Sequence, residues 1–227
     1  IHSNLGNAFR ELGQLDGAVT SFNKAIAIKP DLAEAHNNLG IALQELGQLD
    51  EAVASYNKAI AIKPDYAEVH NNLGLTLQDL GKFDEAVASY SKALNIKPDY
   101  ADAHSNLGNA LHDQGNVDGA AKQLDLALSY KPEKSGWLIR KALFLPVIPY
   151  SQEDIINRRE GLCETVRALQ DKNLTVENPI VDIGSTNFYL AYHAKNNRSI
   201  MQSIAKLYIS ACPELTFEAE HCRNKYV

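Results

Sequence analysis

Histidine and cysteine are the residue types in this chain that most readily do chemistry. Histidine recurs in register, once in each of four similar segments, at His2, His36, His70 and His104. Side chains repeated once per segment on packed helices are expected about 10 Å apart, whereas zinc needs ligands that converge within about 2.1 Å of one ion. We therefore predict packing histidines, and neither a metal site nor a catalytic site, in this column.

The last third of the chain holds a second group of potential ligands, His193, Cys212, His221 and Cys222. Cysteine and histidine together also form nucleophilic sites. These residues lack the paired short spacings of a structural zinc site, and a free cysteine is commonly a small buried apolar side chain. Packing or surface roles are favoured, and a metal or thiol site stays the alternative.

Asparagine forms the most regular polar column. It is invariant at Asn4, Asn38, Asn72 and Asn106; the preceding column contains Asn37 and Asn71, and the column one turn later contains Asn7 and Asn109. At 100° per residue, Asn37 is predicted opposite the apolar stripe of its helix and Asn38 on the flank. An amide has two donors and one acceptor, which suits the backbone of an extended peptide. A local hydrogen bond within the repeat is the other interpretation, and both stay open.

The elements that position these columns follow a period of 34 residues. Ala35, Leu39, Ala42, Leu43 and Leu46 form the apolar stripe of a first helix. Gly47 is predicted to end that helix in the left-handed region, Asp50 to cap a second helix, and Pro64 to begin the next turn. Each repeat is therefore a pair of helices.

Two further columns complete the repeat. The small residues Gly40, Ala52 and Ala59 are predicted where the paired helices approach most closely, since larger side chains there would separate them. An acidic column lies at the end of each first helix, at Glu11, Glu45, Asp79 and Asp113. It either gives the groove or its rim a negative charge or is an ordinary solvated helix face.

This period, with its order of Leu-Gly, Ala, aromatic, Ala and Pro, resembles the tetratricopeptide repeat. The resemblance implies an all-α, right-handed solenoid whose first helices line a concave groove, and arrays of this kind usually bind other chains. We assign residues 1–132 to four repeats (1–30, 31–64, 65–98 and 99–132), residues 133–150 to a capping helix with a proline-rich turn, and residues 151–227 to a mainly α-helical connector.

The connector contains recognisable helix signals. Trp137 to Phe144 is predicted to form a short helix that covers the fourth repeat and ends before Pro146 and Pro149. Ser151 begins a helix that runs to about Gln170, because a carboxylate follows the hydroxyl three residues later. A loop containing Asn178-Pro179 and Gly184 follows. Another helix is predicted near Ser199 to Ala211, ending before Pro213.

Several phrases of the connector carry a second resemblance. They are Leu145-Pro146-Val147-Ile148-Pro149, Thr186 to His193, Ile204 to Tyr208, Ala211-Cys212-Pro213 and His221-Cys222. Together with the repeats they are similar to the segment before the catalytic region in bacterial O-linked N-acetylglucosamine transferase-like proteins of the SPINDLY family. In that family the nucleotide-sugar lobes follow this segment, so the catalytic residues have no counterparts here. The resemblance implies that the asparagine column helps to bind the acceptor polypeptide.

Composition narrows the function classes. Residues 1–132 hold 10 basic and 17 acidic side chains, and the remainder holds 12 and 11. An acidic array argues against nucleic acid as a partner. Three cysteines without a CxxC motif indicate a reducing compartment, and no apolar run approaches the length of a membrane span. We expect a cytoplasmic protein that does not enter membranes.

The sequence therefore predicts a non-enzymatic recognition arm that presents polypeptide to a downstream sugar transferase. It needs no cofactor itself, and a UDP-sugar is expected only in the complete protein. Because Ile1 lies inside a repeat and is not Met, the chain is expected to be a segment of a longer protein. The alternatives are a stand-alone tetratricopeptide scaffold and self-association through the exposed repeat ends, which sedimentation at several concentrations would detect.

Overall fold

A computed structural model describes residues 1–144, 151–172, 174–176, 182–183 and 197–212. The chain divides into two compact units, Ile1–Gln114 and Gly115–Val227. All of the elements in the described residues are helices or turns. The structure is therefore all-α, as the period of the sequence predicts.

The first unit repeats one motif, a pair of helices joined by a short turn. Its helices are α1 (His2–Glu11), α2 (Leu15–Ile28), α3 (Ala33–Glu45), α4 (Leu49–Ile62), α5 (Ala67–Asp79), α6 (Phe83–Ile96) and α7 (Ala101–Asp113). The turn after α3 passes through Gly47 at φ 76°, a backbone conformation that costs little without a Cβ. The predicted helix end at this glycine is confirmed, and the equivalent glycines also have positive φ.

Within each pair, a small residue on the first helix meets an aromatic ring on the second. A Cβ built on Gly40 would lie 2.6 Å from Cε1 of Tyr56, and one built on Gly74 would lie 2.6 Å from the same atom of Tyr90. Ala52 and Ala59 are fully buried beside these rings. The predicted role of the small-residue columns is thus confirmed.

The start of the second helix differs from the prediction. Asp50 lies inside the first turn of α4, and the N-cap is Gln48, whose side chain makes no capping hydrogen bond. A carboxylate in the first turn still stabilises a helix through the macrodipole. The prediction of Asp50 as the cap was wrong by two residues because the turn after Gly47 is shorter than the sequence indicated.

The second unit contains four described helices, α8 (Val117–Tyr130), α9 (Ser135–Ala142), α10 (Gln152–Gln170) and α11 (Arg198–Ala211). Helix α9 contacts both α8 and α10, and α10 packs against α11. The core between them includes Ile139, Val166, Ile204 and Leu207. These side chains account for the amphipathic patterns read from the sequence.

The predicted boundaries of α10 and α11 are confirmed to within a residue. The Ser151 hydroxyl accepts a hydrogen bond from the backbone N–H of Asp154 at 3.0 Å and so caps α10. The predicted stops at Pro146, Pro149 and Pro213 and the predicted loop with Asn178-Pro179 and Gly184 lie outside the described residues. None of the described helices is long and apolar enough to cross a membrane.

Candidate polypeptide-binding surface

The first helices of the repeats form one side of the first unit. Each contacts the first helix of the next repeat, from α1 to α3, α3 to α5 and α5 to α7. Among the helices of residues 1–114, no contact of comparable extent joins successive second helices. First helices are therefore the closer-spaced layer of the stack, which is the inner side of a curved array.

Asparagine side chains link successive repeats on this layer. Nδ2 of Asn38 donates to Oδ1 of Asn7 at 3.2 Å. Nδ2 of Asn72 donates to Oδ1 of Asn37 at 3.2 Å, and Nδ2 of Asn106 donates to Oδ1 of Asn71 at 3.0 Å. We call these three bonds the asparagine ladder. In every one, the later repeat donates to the earlier repeat.

The two members of the preceding column lie inside the stack. Asn37 is 1% exposed and Asn71 is 5% exposed, so the prediction that Asn37 lies opposite the buried face is wrong. A single-helix projection treats one face as buried, whereas α3 packs against α4 on one side and α2 on another. Asn37 faces the neighbouring repeat, where it also donates to Oδ1 of Asn38 at 3.3 Å.

The invariant column remains accessible. Asn38, Asn72 and Asn106 are half-buried and Asn4 is exposed, while Asn7 and Asn109 are half-buried one turn further along their helices. The ladder uses one of the two N–H groups of each donating amide. Asn38, Asn72 and Asn106 thus keep a second N–H for another acceptor, and the local and the ligand-binding interpretations are compatible at these positions.

A second set of bonds crosses the repeats and was not foreseen from the sequence. The Tyr56 hydroxyl donates to Oε1 of Gln44 at 3.2 Å, and Nε2 of Gln44 donates to Oδ2 of Asp79 at 3.2 Å. Tyr90, Gln78 and Asp113 repeat the arrangement at 3.1 and 2.8 Å. These relays hold two carboxylates of the acidic column in place.

A signal for this relay was present in the sequence. Glutamine occupies the first-helix position in the two repeats whose second helix carries Tyr56 or Tyr90. In the first repeat, where Phe22 has no hydroxyl, Arg10 takes that position. Covariation between the two columns would have indicated a hydrogen bond.

The histidine column is structural, as predicted. Nε2 of His36 lies 3.0 Å from the carbonyl oxygen of Pro30, and His70 and His104 make the same contact with Pro64 and Pro98. A carbonyl only accepts, so these rings donate through Nε2. They fasten each first helix to the turn before it.

The described part of the second unit contains no chemical site. Within the described residues, no group of three or more His, Cys, Asp or Glu side chains could hold a metal ion. Cys163 is half-buried and Cys212 is buried; burial raises the pKa of the Cys212 thiol. His193, His221 and Cys222 lie outside the described residues.

One buried charge in this unit has a structural role. Nε of Arg140 donates to the carbonyl oxygen of Ile183 at 3.0 Å. Desolvation lowers the pKa of Arg140 to about 10, against the favourable field of Asp182. Arg140 therefore stays charged at neutral pH and ties α9 to the segment that contains Asp182 and Ile183.

Repeated helix pairs joined by side-chain ladders define the first unit as a helical-repeat array. Sequence-family models agree: the TPR repeat model matches residues 6–47, 42–81 and 77–115, and a second tetratricopeptide repeat model matches residues 101–134. Together these matches span more than half of the chain. The chain belongs to the tetratricopeptide repeat family.

Solved structures with the same fold include three instructive cases. MamA is 22% identical, with a TM-score of 0.61 over 71% of this chain and 90% of that chain. YrrB, described as a TPR protein with an unusual peptide-binding site, is 18% identical, with a TM-score of 0.58 over 85% of this chain and 89% of that chain. A mutant of the Thermobaculum terrenum O-GlcNAc transferase is 29% identical, with a TM-score of 0.53 over 57% of this chain and 25% of that chain. A comparison with curated proteins finds no match.

Proposed function

We propose that the first-helix layer binds an extended segment of another polypeptide. The observation that carries the proposal is the half-buried state of Asn38, Asn72 and Asn106, each of which spends one amide N–H on the preceding repeat. Their second N–H groups recur at the spacing of the repeats. Such a row suits main-chain carbonyls, which every peptide presents whatever its sequence.

The ladder gives these donors a fixed orientation before a ligand arrives. An exposed asparagine loses rotamer freedom when it binds, which weakens its contribution. Here the bonds to Asn7, Asn37 and Asn71 already fix the amides. Pre-organised donors favour binding without requiring a particular side chain on the peptide.

The test separates ligand contact from array integrity. Asn38→Ala with Asn72→Ala should weaken peptide binding, measured by fluorescence anisotropy, by about tenfold, since each net hydrogen bond contributes roughly 0.5–1.5 kcal/mol. The matched control is Asn37→Ser with Asn71→Ser. It disturbs the same ladder at buried positions, and serine stands naturally in that column at Ser3 and Ser105. Equal losses of affinity in both double variants would refute direct contact with the peptide.

The finer proposal is that this array presents an acceptor polypeptide to a sugar-transferring region of a larger protein. It is supported by the 29% identity to the Thermobaculum terrenum O-GlcNAc transferase, limited to one quarter of that chain. The chain alone would then lack transferase activity, and a UDP-sugar would bind only to the larger protein. The unpaired thiols of Cys163 and Cys212 support a reducing, cytoplasmic setting.

Transfer from UDP-N-acetylglucosamine distinguishes this proposal from a stand-alone scaffold. Activity in the product of the natural reading frame, with none in the present chain, would support a substrate-presenting arm. Inactivity of both, with peptide binding retained, would leave protein-complex assembly as the function. Asn4, Asn7 and Asn109 are proposed as outer contacts of the same surface.

A further inference from the structure

The first-helix layer carries two rows of carboxylates, one at each side of the asparagine ladder. On α3, the residues at i, i+4, i+7 and i+11 are Glu34, Asn38, Ile41 and Glu45, and this spacing places them on one helix face. Helices α5 and α7 repeat the pattern. We call the two rows the first rail (Glu34, Glu68 and Asp102) and the second rail (Glu45, Asp79 and Asp113).

No base interrupts this surface. Helices α3, α5 and α7 contain neither lysine nor arginine, and each contains two carboxylates. The lysines of the turns before α5 and α7 are engaged elsewhere. Nζ of Lys63 lies 4.7 Å from the centroid of the Tyr66 ring, and Nζ of Lys97 lies 5.1 Å from that of Tyr100. The face therefore has a negative charge that its own helices do not neutralise.

Successive carboxylates of each rail act on the same neighbours. Burial first, and then the carboxylates of Glu68 and Glu34, raise the pKa of Tyr66. Burial and then Asp79 and Asp113 raise the pKa of Tyr90. The rails are thus continuous from one repeat to the next, so like charges accumulate along them.

The position of the second rail is unfavourable for the fold itself. Glu45, Asp79 and Asp113 are the last residues of α3, α5 and α7. A carboxylate at a helix C-terminus opposes the macrodipole, at about 0.3–1 kcal/mol when exposed. Gln44 and Gln78 nevertheless hold Asp79 and Asp113 by hydrogen bonds. Three equivalent, unfavourable and oriented carboxylates point to a cationic ligand.

We propose that this face selects an extended polypeptide segment with lysine or arginine at alternate positions, an inference that rests on the proposed function. Eleven residues of helix separate the rails by about 16 Å. An extended strand lying midway directs alternate side chains to opposite sides and turns one backbone edge toward the asparagines. Each rail is then about 8 Å from the strand axis, a distance that long basic side chains span.

Fluorescence anisotropy with three labelled peptides tests the charge requirement. The probes alternate serine with lysine, with Nε-acetyl-lysine, or with glutamate, so that the first two differ chiefly in charge. The 227-residue chain should bind the lysine peptide at least about tenfold more tightly than the acetylated peptide, given the worth of several exposed ion pairs. Its affinity should also fall as salt rises, and the glutamate peptide should not bind.

Protein variants locate the effect. Glu45→Gln, Asp79→Asn and Asp113→Asn together should reduce lysine-peptide affinity to that of the acetylated peptide, while amide oxygens still accept from Gln44 and Gln78. The control neutralises three exposed carboxylates of the second helices, by Asp16→Asn, Glu51→Gln and Glu85→Gln, and should keep most of the affinity. Thermal unfolding verifies that both triple variants are folded.

The outcomes separate this inference from the proposal beneath it. Equal binding of the lysine and acetylated peptides would overturn the charge selection and leave peptide binding intact. An equal loss in both triple variants would overturn the assignment to the rails, because net charge alone would then explain it. Failure of all three peptides to bind would overturn both proposals.

Discussion

The side-chain amide of Asn72 donates to Oδ1 of Asn37 at 3.2 Å, although the two residues are 35 positions apart and belong to different repeats. The acceptor is almost completely buried and the donor is half-buried. One bond therefore joins the packing between repeats to the surface on which a ligand would lie. Its two ends should respond differently to mutation.

Asn37→Ala should lower the free energy of unfolding by about 1–3 kcal/mol, because it leaves amide groups of Asn72 and Asn38 without their buried partner. Urea unfolding followed by circular dichroism measures the change. Asn57→Ala, at an exposed position on α4, is the matched control and should shift stability by no more than about 0.5 kcal/mol. Similar values for the two variants would show that the ladder adds nothing to stability.

Gly40→Ala should destabilise the first unit by about 1–3 kcal/mol through overpacking, since its Cβ would lie 2.6 Å from Tyr56 Cε1. Gly161→Ala on α10 is the converse case, because no heavy atom lies within 4 Å of the added Cβ. There, alanine should stabilise the helix by about 0.5–1 kcal/mol. If both substitutions changed the melting temperature in the same direction, the close contact would not limit the packing.

Alkaline pH should destabilise the fold through its buried tyrosines. Burial raises the pKa of Tyr100 and of Tyr208 to about 12, and it also raises those of Tyr56 and Tyr90. A raised folded-state pKa means that the stabilisation is complete below the unfolded pKa of about 10 and is lost as pH rises toward the folded pKa. Stability should therefore fall between about pH 10 and 12.

Tyr90→Phe isolates one contribution to that alkaline slope. At pH 8 the variant should be less stable by about 0.5–1.5 kcal/mol, since it loses the bond to Gln78. Above about pH 10 the deficit should shrink by about 1.4 kcal/mol per pH unit, because phenylalanine cannot ionise in the unfolded state. Guanidinium unfolding at a series of pH values gives both numbers, and a constant deficit would exclude a raised Tyr90 pKa.

Leu207→Ala tests the core of the second unit. This side chain is 0% exposed among residues of α10 and α11, so its truncation should cost about 2–5 kcal/mol. Ile209→Ala, two positions along the same helix but 52% exposed, should cost far less. Differential scanning calorimetry of both variants compares them, and equal losses would contradict the packing of α11 described above.

The sequence predicted the helix pairs well because periodicity in apolar residues reports packing that recurs in each repeat. Gly47, Gly40 and the Ser151 cap follow from local rules, and their roles are confirmed. Asn37 was misplaced because the contact that buries it comes from another repeat, which a projection of one helix does not contain. The relay through Tyr56, Gln44 and Asp79 was missed for the same reason. Both sets of residues are visible in sequence only when columns from different repeats are compared.

Peptide binding by the asparagine columns stays a prediction that the structure makes more specific. Burial assigns Asn37 and Asn71 to the ladder, and partial exposure keeps Asn38, Asn72 and Asn106 as contacts to be tested. The phrase from Phe188 to His193, which carried much of the resemblance to sugar transferases, lies outside the described residues. That resemblance therefore depends on the sequence and on the partial match to one transferase structure.

The direction of the asparagine ladder makes the array extensible. Because each repeat accepts on one side and donates on the other, a duplicated 34-residue segment inserted between two repeats would find a partner for both of its ends. Lengthening by gene duplication would then need no compensating change elsewhere in the chain. The same polarity gives the binding surface a reading direction, so a bound polypeptide and its reversed sequence would meet different arrangements of donors and charges.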